Sequence, residues 1–259
     1  YAHDEIASDK RDPTVNADGP VYGVDLGNDR LLALDPRTHT ASAIKTPTLG
    51  GFATPWCRQT HLPLGASGAP TAAGFGSLGC PTPDGVSSFP GAYVNPANPH
   101  NPMLDARGRV WITARIRPAN NPAWCKTGSN HPSARLTPID VSQRQLAYFD
   151  MKTEQFTLID TCFQTHHFSF DNNGVMWFSR GTNGIMPVGW FDSRMFDRTG
   201  DERAAQGWTT LVLDTNGNGR RDEGYAGADQ PVAPDRDKEI AAGFYGVSVS
   251  PLDGSVGGT

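Results

Sequence analysis

Short stretches of alternating apolar and polar residues recur along the chain, and each stretch ends at a turn. The stretch HNPMLDARGRVWITAR (100–115) matches HHFSFDNNGVMWFSRG (166–181) at a constant offset. In both, an Asp-x-x-Gly turn is followed by a stretch that carries a tryptophan, Trp111 or Trp177. Because glycine supplies the positive φ that such a turn requires, each copy predicts a β-hairpin.

Two weaker copies extend this repeat to both ends of the chain. In RDPTVNADGPVYGVDL (11–26), Tyr22 takes the tryptophan place. In YGVSVSPLDGSVGGT (245–259), which has one added residue in its turn, Gly254 takes the glycine place and Gly257 the tryptophan place. The repeat therefore predicts one such hairpin in each of four units.

A second kind of hairpin follows the first. LDPRTHTASAI (34–44) matches FDMKTEQFTLI (149–159), with a turn at Asp-x-x-Thr in each. A third version begins at GWFDSRMFD (189–197) and ends with GWTTLVLD (207–214). Two successive hairpins make a four-stranded sheet, and such sheets bury both faces only when they stack on neighbours.

The predicted fold is all-β, a β-propeller of four-stranded blades. We expect about three complete blades and the start of a fourth in this chain, and six or seven in the full ring. A β-sandwich is the alternative, but it does not predict equivalent residues in each pair of hairpins. The predicted divisions are an N-terminal extension at 1–10 and a partial propeller at 11–259, with blades at about 11–47, 99–160 and 166–214, the next blade from 244, and disulfide-bearing insertions at 48–98 and 118–138.

Composition and charge narrow the classes of function. Of the 259 residues, 29 are Gly and 21 are Pro, which disfavours long helices. The net charge is −5 and the chain has no block of Lys and Arg, so we expect no nucleic-acid partner. No apolar run approaches the roughly 18 residues of a membrane span, so we expect a chain that does not itself cross a membrane.

Four cysteines, Cys57, Cys80, Cys125 and Cys162, allow three pairings, and none belongs to a CxxC pair. An even number in a loop-rich chain favours two disulfides and an oxidising compartment, either periplasmic or extracellular. We expect Cys57–Cys80 and Cys125–Cys162, because each pair lies in or beside an insertion that needs a covalent link. The alternative is four buried thiols in a cytosolic protein.

The pattern HxxxxDxxGxxW followed by LDPxTxxxxxI resembles the streptogramin lyase-like β-propellers, the group that includes virginiamycin B lyase. Residues 99–255 are also similar to exported bacterial proteins of this type with no established activity, through runs such as HNPMLDARGRVW, TCFQTHHFSFD and DTNGNGRRDE. The resemblance implies a propeller and, for an enzyme, magnesium-assisted elimination with a histidine base and acidic residues near the axis. Gly257 departs from the tryptophan of the repeat.

The run DTNGNGRRDEGY (214–225) is close to the calcium-loop pattern D-x-[DN]-x-[DN]-G. Its hard oxygen ligands suit calcium, and a glycine permits the sharp turn. Tyr225 stands where an EF-hand has a bidentate glutamate, and we expect a structural rather than a catalytic ion. The alternative is a turn that needs no ion. The predicted ligands are Asp214, Asn216, Asn218, the carbonyl of Arg220, and Asp222.

The starts of the inner strands form the second candidate site, because equivalent positions of successive blades surround one axis. The residues there are Arg11, His100, His166 and Tyr245. Asn101 and His167 follow directly and are expected on the opposite side of their strands. We regard His100, His166 and Tyr245 as candidate catalytic residues, and Arg11, Asn101 and His167 as candidate ligand-binding residues.

Imidazoles bind transition metals or act as general bases, so the axial histidines are also a candidate site for a second divalent metal. The alternative is that these rings have a structural role and form hydrogen bonds with neighbouring blades. The remaining histidines, His3, His39, His61 and His131, fall in predicted loops and are expected to be solvated.

Three functions follow from these features. The first is an exported propeller, stabilised by calcium, that binds a small molecule or a protein partner at its axial mouth. The second is a metal-dependent lyase or hydrolase of the streptogramin lyase type, which uses His100 and His166. The third is a structural subunit of an extracellular or membrane-bound assembly, docked through the insertion at 48–98.

Overall fold

The computed structural model describes residues 4–25, 29–47, 97–117, 120–142, 144–179 and 187–258. These residues form sixteen strands and two short α-helices, and the strands make antiparallel sheets. The all-β prediction is therefore confirmed. Within the described ranges, no helix has the length and apolar character needed to cross a bilayer. The chain divides into two compact units, Tyr1–Asn120 with Gln143–Ile159, and Asn121–Ser142 with Asp160–Thr259.

The described part of the first unit contains two four-stranded sheets, and within each sheet every strand pairs with the next along the chain. The first sheet consists of β1 (Glu5–Ile6), β2 (Val21–Asp25), β3 (Arg30–Asp35) and β4 (Thr40–Lys45). The second consists of β5 (His100–Leu104), β6 (Arg109–Ala114), β7 (Gln145–Asp150) and β8 (Gln155–Ile159). Apolar side chains of both sheets form one buried core, which includes Tyr22, Leu31, Leu104, Val110, Ile112 and Phe149.

The described residues of the second unit form one four-stranded sheet and two hairpins. The sheet consists of β9 (Phe168–Phe170), β10 (Val175–Phe178), β11 (Val188–Asp192) and β12 (Gln206–Thr209). The hairpins are β13 (Val212–Leu213) with β14 (Lys238–Glu239), and β15 (Val247–Val249) with β16 (Val256–Gly258). The helices are α1 (Pro132–Leu136) and α2 (Ser193–Thr199), and Ala123–Cys125 is a 3-10 turn.

The first strand lies upstream of its predicted place. Residues 1–10 were expected to be an extension, yet β1 pairs there with β2, and Ile6 lies opposite Tyr22. A two-residue strand is too short to show an alternating pattern, which explains why the sequence did not reveal it. In the second unit Ser169 lies opposite Trp177 in the same way. By that register the repeat position of His166 falls on residue 3, outside the described residues, and not on Arg11.

The tryptophan hairpins share one turn geometry. The carboxylate of Asp105 accepts hydrogen bonds from the backbone of Arg109 and, at 2.8 Å, from the indole of Trp111. The carboxylate of Asp171 likewise accepts from the indole of Trp177, at 3.3 Å. The turn glycines have φ of 78° and 81°, as the pattern requires. An aspartate that bonds both its own turn and the indole explains why these residue types recur together.

The Asp-x-x-Thr hairpins also form where predicted, between β3 and β4 and between β7 and β8. Asp35 and Asp150 each accept a backbone hydrogen bond two residues on, and His39 and Glu154 complete the turns at φ of 56°. The third version differs, because Asp192 accepts the amide hydrogen bond of Met195 and so caps α2. A helix therefore replaces the tight turn in that sheet.

The last copy of the repeat keeps the predicted register. Ser248 lies opposite Gly257, as Ser169 lies opposite Trp177. Gly254 adopts φ of 74°, and its turn spans one residue more than that after Asp105, because Ser250 rather than Asp253 begins it.

The predicted disulfide Cys125–Cys162 is present, with its Cα atoms 5.4 Å apart and both cysteines fully buried. The described part of the 118–138 insertion is ordered around it. Asn121 donates hydrogen bonds to the carbonyl oxygens of Ile139 and Cys162, which ties the insertion to the segment before β9. The pair Cys57–Cys80 and most of the 48–98 insertion lie outside the described residues.

Candidate functional site

Two of the predicted axial residues, His166 and Tyr245, come together with His167 in the second unit. The imidazole rings of His166 and His167 are stacked, with centroids 4.1 Å apart. The ring of Tyr245 meets both edge-on, at 5.3 Å from His166 and 4.7 Å from His167. Both histidines are buried, while Tyr245 is 58% exposed. The cluster therefore places two buried polar rings in contact with an accessible aromatic ring.

The placement of His167 differs from the prediction. It was expected on the opposite side of the strand from His166, but β9 begins only at Phe168, so the alternation of a strand does not apply to the two histidines. The carbonyl of His167 accepts the backbone N–H of Ser179, and the Ser179 hydroxyl donates to the carbonyl of Tyr245 at 2.6 Å. Ser179 therefore links the backbone at His167 to the backbone at Tyr245.

His100 and Asn101 belong to the first unit and share a contact there. Nδ1 of His100 lies 2.7 Å from Oδ1 of Asp4, and the backbone N–H of Asn101 donates to the same oxygen at 3.4 Å. Asn101 has φ of 49° at an irregularity in the pairing of β5 with β6. That bulge overturns the simple alternation expected for Asn101. Asp4 is a contact of both residues that the sequence did not indicate.

Arg11 does not begin a strand. It lies in the connection between β1 and β2, and its side chain pairs with the buried carboxylate of Asp9 at 2.6 Å. Its backbone N–H donates to the same carboxylate. Arg11 therefore stabilises a local turn, and the prediction that it begins a strand is wrong.

His131 is a buried residue that the sequence placed in solvent. Its ring stacks on Trp208 with centroids 4.7 Å apart, and its Nδ1 accepts the N–H of Ser133 at the start of α1. Nδ1 is therefore unprotonated, and Nε2–H donates to the carbonyl of Arg203. Burial lowers the pKa of His131, which favours this neutral form. Of the other histidines expected in solvent, His39 is exposed, and His3 and His61 lie outside the described residues.

The predicted calcium loop lies between β13 and β14. The carboxylate of Asp214 accepts backbone hydrogen bonds from inside the loop, including that of Gly219 at 2.8 Å. The side-chain oxygens of Asn216 and Asn218 each accept an N–H two residues on, the second from Arg220. Gly219 has φ of 73°, which permits the turn. The loop thus brings together the side chains of Asp214, Asn216 and Asn218 that the motif named.

Asp222 closes this loop from the other side. Its carboxylate accepts the amide groups of Asn218 and Asn216, at 2.9 and 2.7 Å. These hydrogen bonds, the one from Asn218 first, lower the pKa of Asp222, so its carboxylate is charged at neutral pH. Tyr225 instead contacts Thr210 through its hydroxyl and Arg221 through its ring.

No family model, curated protein or solved structure matches this chain. The resemblance to streptogramin lyase-like propellers therefore stays a prediction from the quoted motifs. The chemistry of the two sites rests on the contacts described above.

Proposed function

We propose that this chain is part of an exported β-propeller that binds a small molecule or a protein partner at the mouth formed by its inner-strand starts. The sheets would be successive blades, in keeping with the tryptophan hairpin that recurs in each unit. A calcium ion in the Asp214–Asp222 loop would stabilise the blade that carries it. The cluster of His166, His167 and Tyr245 is the observation that carries the binding function.

The cluster has the features of a small-molecule site. Buried imidazoles provide hydrogen-bond donors and acceptors, and the exposed ring of Tyr245 offers a flat surface with a hydroxyl at its edge. Such a combination suits a planar ligand with a carboxylate or amide group. The ring of Tyr245, which is 58% exposed and contacts both imidazoles, would cover one side of that ligand.

Export and calcium are supported by separate observations. A fully buried disulfide, Cys125–Cys162, is compatible with an oxidising compartment. Calcium is supported by the convergence of charged and neutral oxygens in one loop, since calcium binds carboxylates, amide carbonyls and backbone carbonyls together.

The binding function can be tested with a set of small aromatic carboxylates and amides, benzoate among them, added to the protein and followed by NMR of the histidine and tyrosine side chains. We expect at least one compound to shift the signals of His166, His167 and Tyr245. The double variant His166→Ala with Tyr245→Ala should bind that compound at least about tenfold more weakly. His39→Ala, at an exposed turn, is the matched control and should bind as the wild type does.

If no compound shifts these signals, or if the double variant binds normally, the cluster is structural and the proposal fails.

The metal-dependent lyase or hydrolase is the second candidate, and the close pair of imidazoles favours it, because neutral imidazole is both a metal ligand and a base. Titration of the same protein with Co²⁺ separates the two candidates. A visible absorption band that is lost in His166→Ala would favour the metal enzyme.

A further inference from the structure

We infer that Asp237 is an additional ligand of the proposed calcium site, and that it supplies the carboxylate that the loop lacks at its twelfth position. This inference rests on the proposed calcium site and extends it to a residue beyond the motif. Asp237 lies immediately before β14, in a charged stretch that the sequence pattern alone would place in solvent.

Asp237 is fully buried, although its sequence neighbours Asp235 and Arg236 are exposed. Its Oδ1 atom is inaccessible to solvent and has no hydrogen-bond partner among the described residues. A buried carboxylate oxygen without a partner is strongly unfavourable, and buried charges are normally paired or coordinate a metal. The unpartnered oxygen therefore points to a cation as its partner.

The geometry directs Asp237 to the calcium loop. Its Oδ2 accepts the N–H of Asp222 at 2.8 Å, and its own N–H donates to the Asp222 carboxylate at 3.2 Å. The carboxylates of Asp237 and Asp222 are thus held side by side by reciprocal backbone contacts. Asp237 also shares a small cavity with the first residue of the loop; the lining residues are Val212, Asp214, Gly219, Arg220, Arg221 and Asp237.

The resulting set of donors matches calcium rather than the commoner alternatives. With Asp237, the site offers three carboxylates, two amide oxygens and one backbone carbonyl: Asp214, Asp222, Asp237, Asn216, Asn218 and Arg220. Calcium takes roughly six to eight oxygen ligands with flexible geometry, whereas magnesium requires a regular octahedron and retains several waters. Zinc favours histidine and cysteine, and the motif and its neighbour Asp237 contain neither.

An ion bound by Asp237 would also join two segments of the chain. The loop is already tied to the segment before β14, because the Thr215 hydroxyl donates to the carbonyl of Arg236 and the Ala226 N–H donates to that of Asp237. Calcium would add a link between Asp214 at one end of the loop and Asp237 beyond the other. The β13–β14 hairpin would therefore be stabilised together with the loop.

Two single substitutions in the same stretch test this inference. Asp237→Asn keeps the size of the side chain and one acceptor oxygen but removes the charge, and Asp235→Asn removes an exposed charge two residues away. We measure the thermal midpoint of the full chain in chelator and in millimolar calcium, and the calcium affinity by titration calorimetry. Magnesium replaces calcium in a parallel series.

We expect calcium, more than magnesium, to raise the midpoint of the wild type and of Asp235→Asn. In Asp237→Asn calcium should bind at least about tenfold more weakly, with a smaller rise in the midpoint. In chelator the same variant should be at least as stable as the wild type, because it removes a buried charged oxygen.

Three outcomes would overturn the role of Asp237: unchanged calcium affinity in Asp237→Asn, an equal loss of stability with and without calcium, or failure of this variant to fold in chelator. A wild type that does not respond to calcium would instead refute the proposed calcium site itself.

Discussion

The two tryptophan hairpins carry the same motif in different surroundings. In β5–β6, Trp111 is fully buried, lies 4.6 Å from the ring of Tyr148, and is covered by the guanidinium of Arg109. In β9–β10, Trp177 is only partly buried and packs against Trp190 at 5.8 Å. The hydrogen bond from the indole to the turn aspartate is nevertheless present in both.

The difference shows which part of the motif sets geometry and which part sets stability. The aspartate, the glycine and the indole fix the turn in each hairpin. The burial of the indole depends on residues outside the pattern, since Arg109 in the first hairpin is replaced by Val175 in the second. Arg109 forms a buried ion pair with Asp105, with Nε 2.6 Å from Oδ2, and Val175 cannot form such a pair in the second hairpin.

The largest expected effect comes from removing the buried indole. Trp111→Ala should lower the free energy of unfolding by about 3–5 kcal/mol, because it leaves a large cavity in the core. Trp177→Ala should cost clearly less, since its indole is already partly exposed. Urea unfolding of the two variants, followed by circular dichroism, measures the difference. Equal losses would show that the two hairpins do not differ in burial as described.

The turn aspartates should show the next largest difference. Asp105→Ala removes the carboxylate beside buried Arg109 and should cost about 3 kcal/mol. Asp171→Ala loses hydrogen bonds at a more exposed turn and should cost about 1–2 kcal/mol. The same urea experiment applies, with Asp12→Ala in an exposed turn as a control. A larger loss in Asp171→Ala than in Asp105→Ala would contradict this account.

The disulfide should stabilise the second unit, which contains the β9–β10 hairpin, by an amount similar to or smaller than that of the turn aspartates. Cys125→Ser with Cys162→Ser opens a link across a sequence separation of 37 residues and should cost about 2–4 kcal/mol. Hydrogen exchange would locate the effect, and we expect it in the second unit, around residues 121–142 and β9. Faster hydrogen exchange in the first unit alone would contradict the assignment of this stabilising effect to the second unit.

The smallest expected effect is the dependence of stability on pH through His131. Because the folded state lowers the pKa of His131, its stabilising contribution is present above the pKa of the unfolded state, about 6.5, and is lost as pH falls through the lower folded value. Stability should therefore decline below about pH 6.5, and His131→Gln should reduce that slope. A slope unchanged in His131→Gln would assign the effect to other groups.

The sequence predicted the hairpins well, because their turns depend on local chemistry. Aspartate and glycine at fixed spacing specify the turns at Asp105 and Asp171, and the register of Ser248 with Gly257 followed from the same pattern. The short strand Glu5–Ile6 carries too little pattern to be predicted. Its place instead depends on pairing with β2.

The sites were less predictable, because their contacts join distant parts of the chain. Asp4 contacts His100 from a distant part of the sequence, and Asp237 contacts Asp222 from a run of charged residues that resembles a solvated surface. His131 is buried by Trp208, far away in sequence. In each case the residue type was visible in the sequence, but its partner was not.

The central claim is that the recurring tryptophan hairpin marks successive blades about one axis. A crystal structure of the full-length protein tests it most directly. We predict that β5–β8 and β9–β12 occupy successive positions around a common axis, with their first strands innermost. Two sheets packed face to face as a sandwich, or sheets in unrelated positions, would contradict the propeller and the axial site proposed with it.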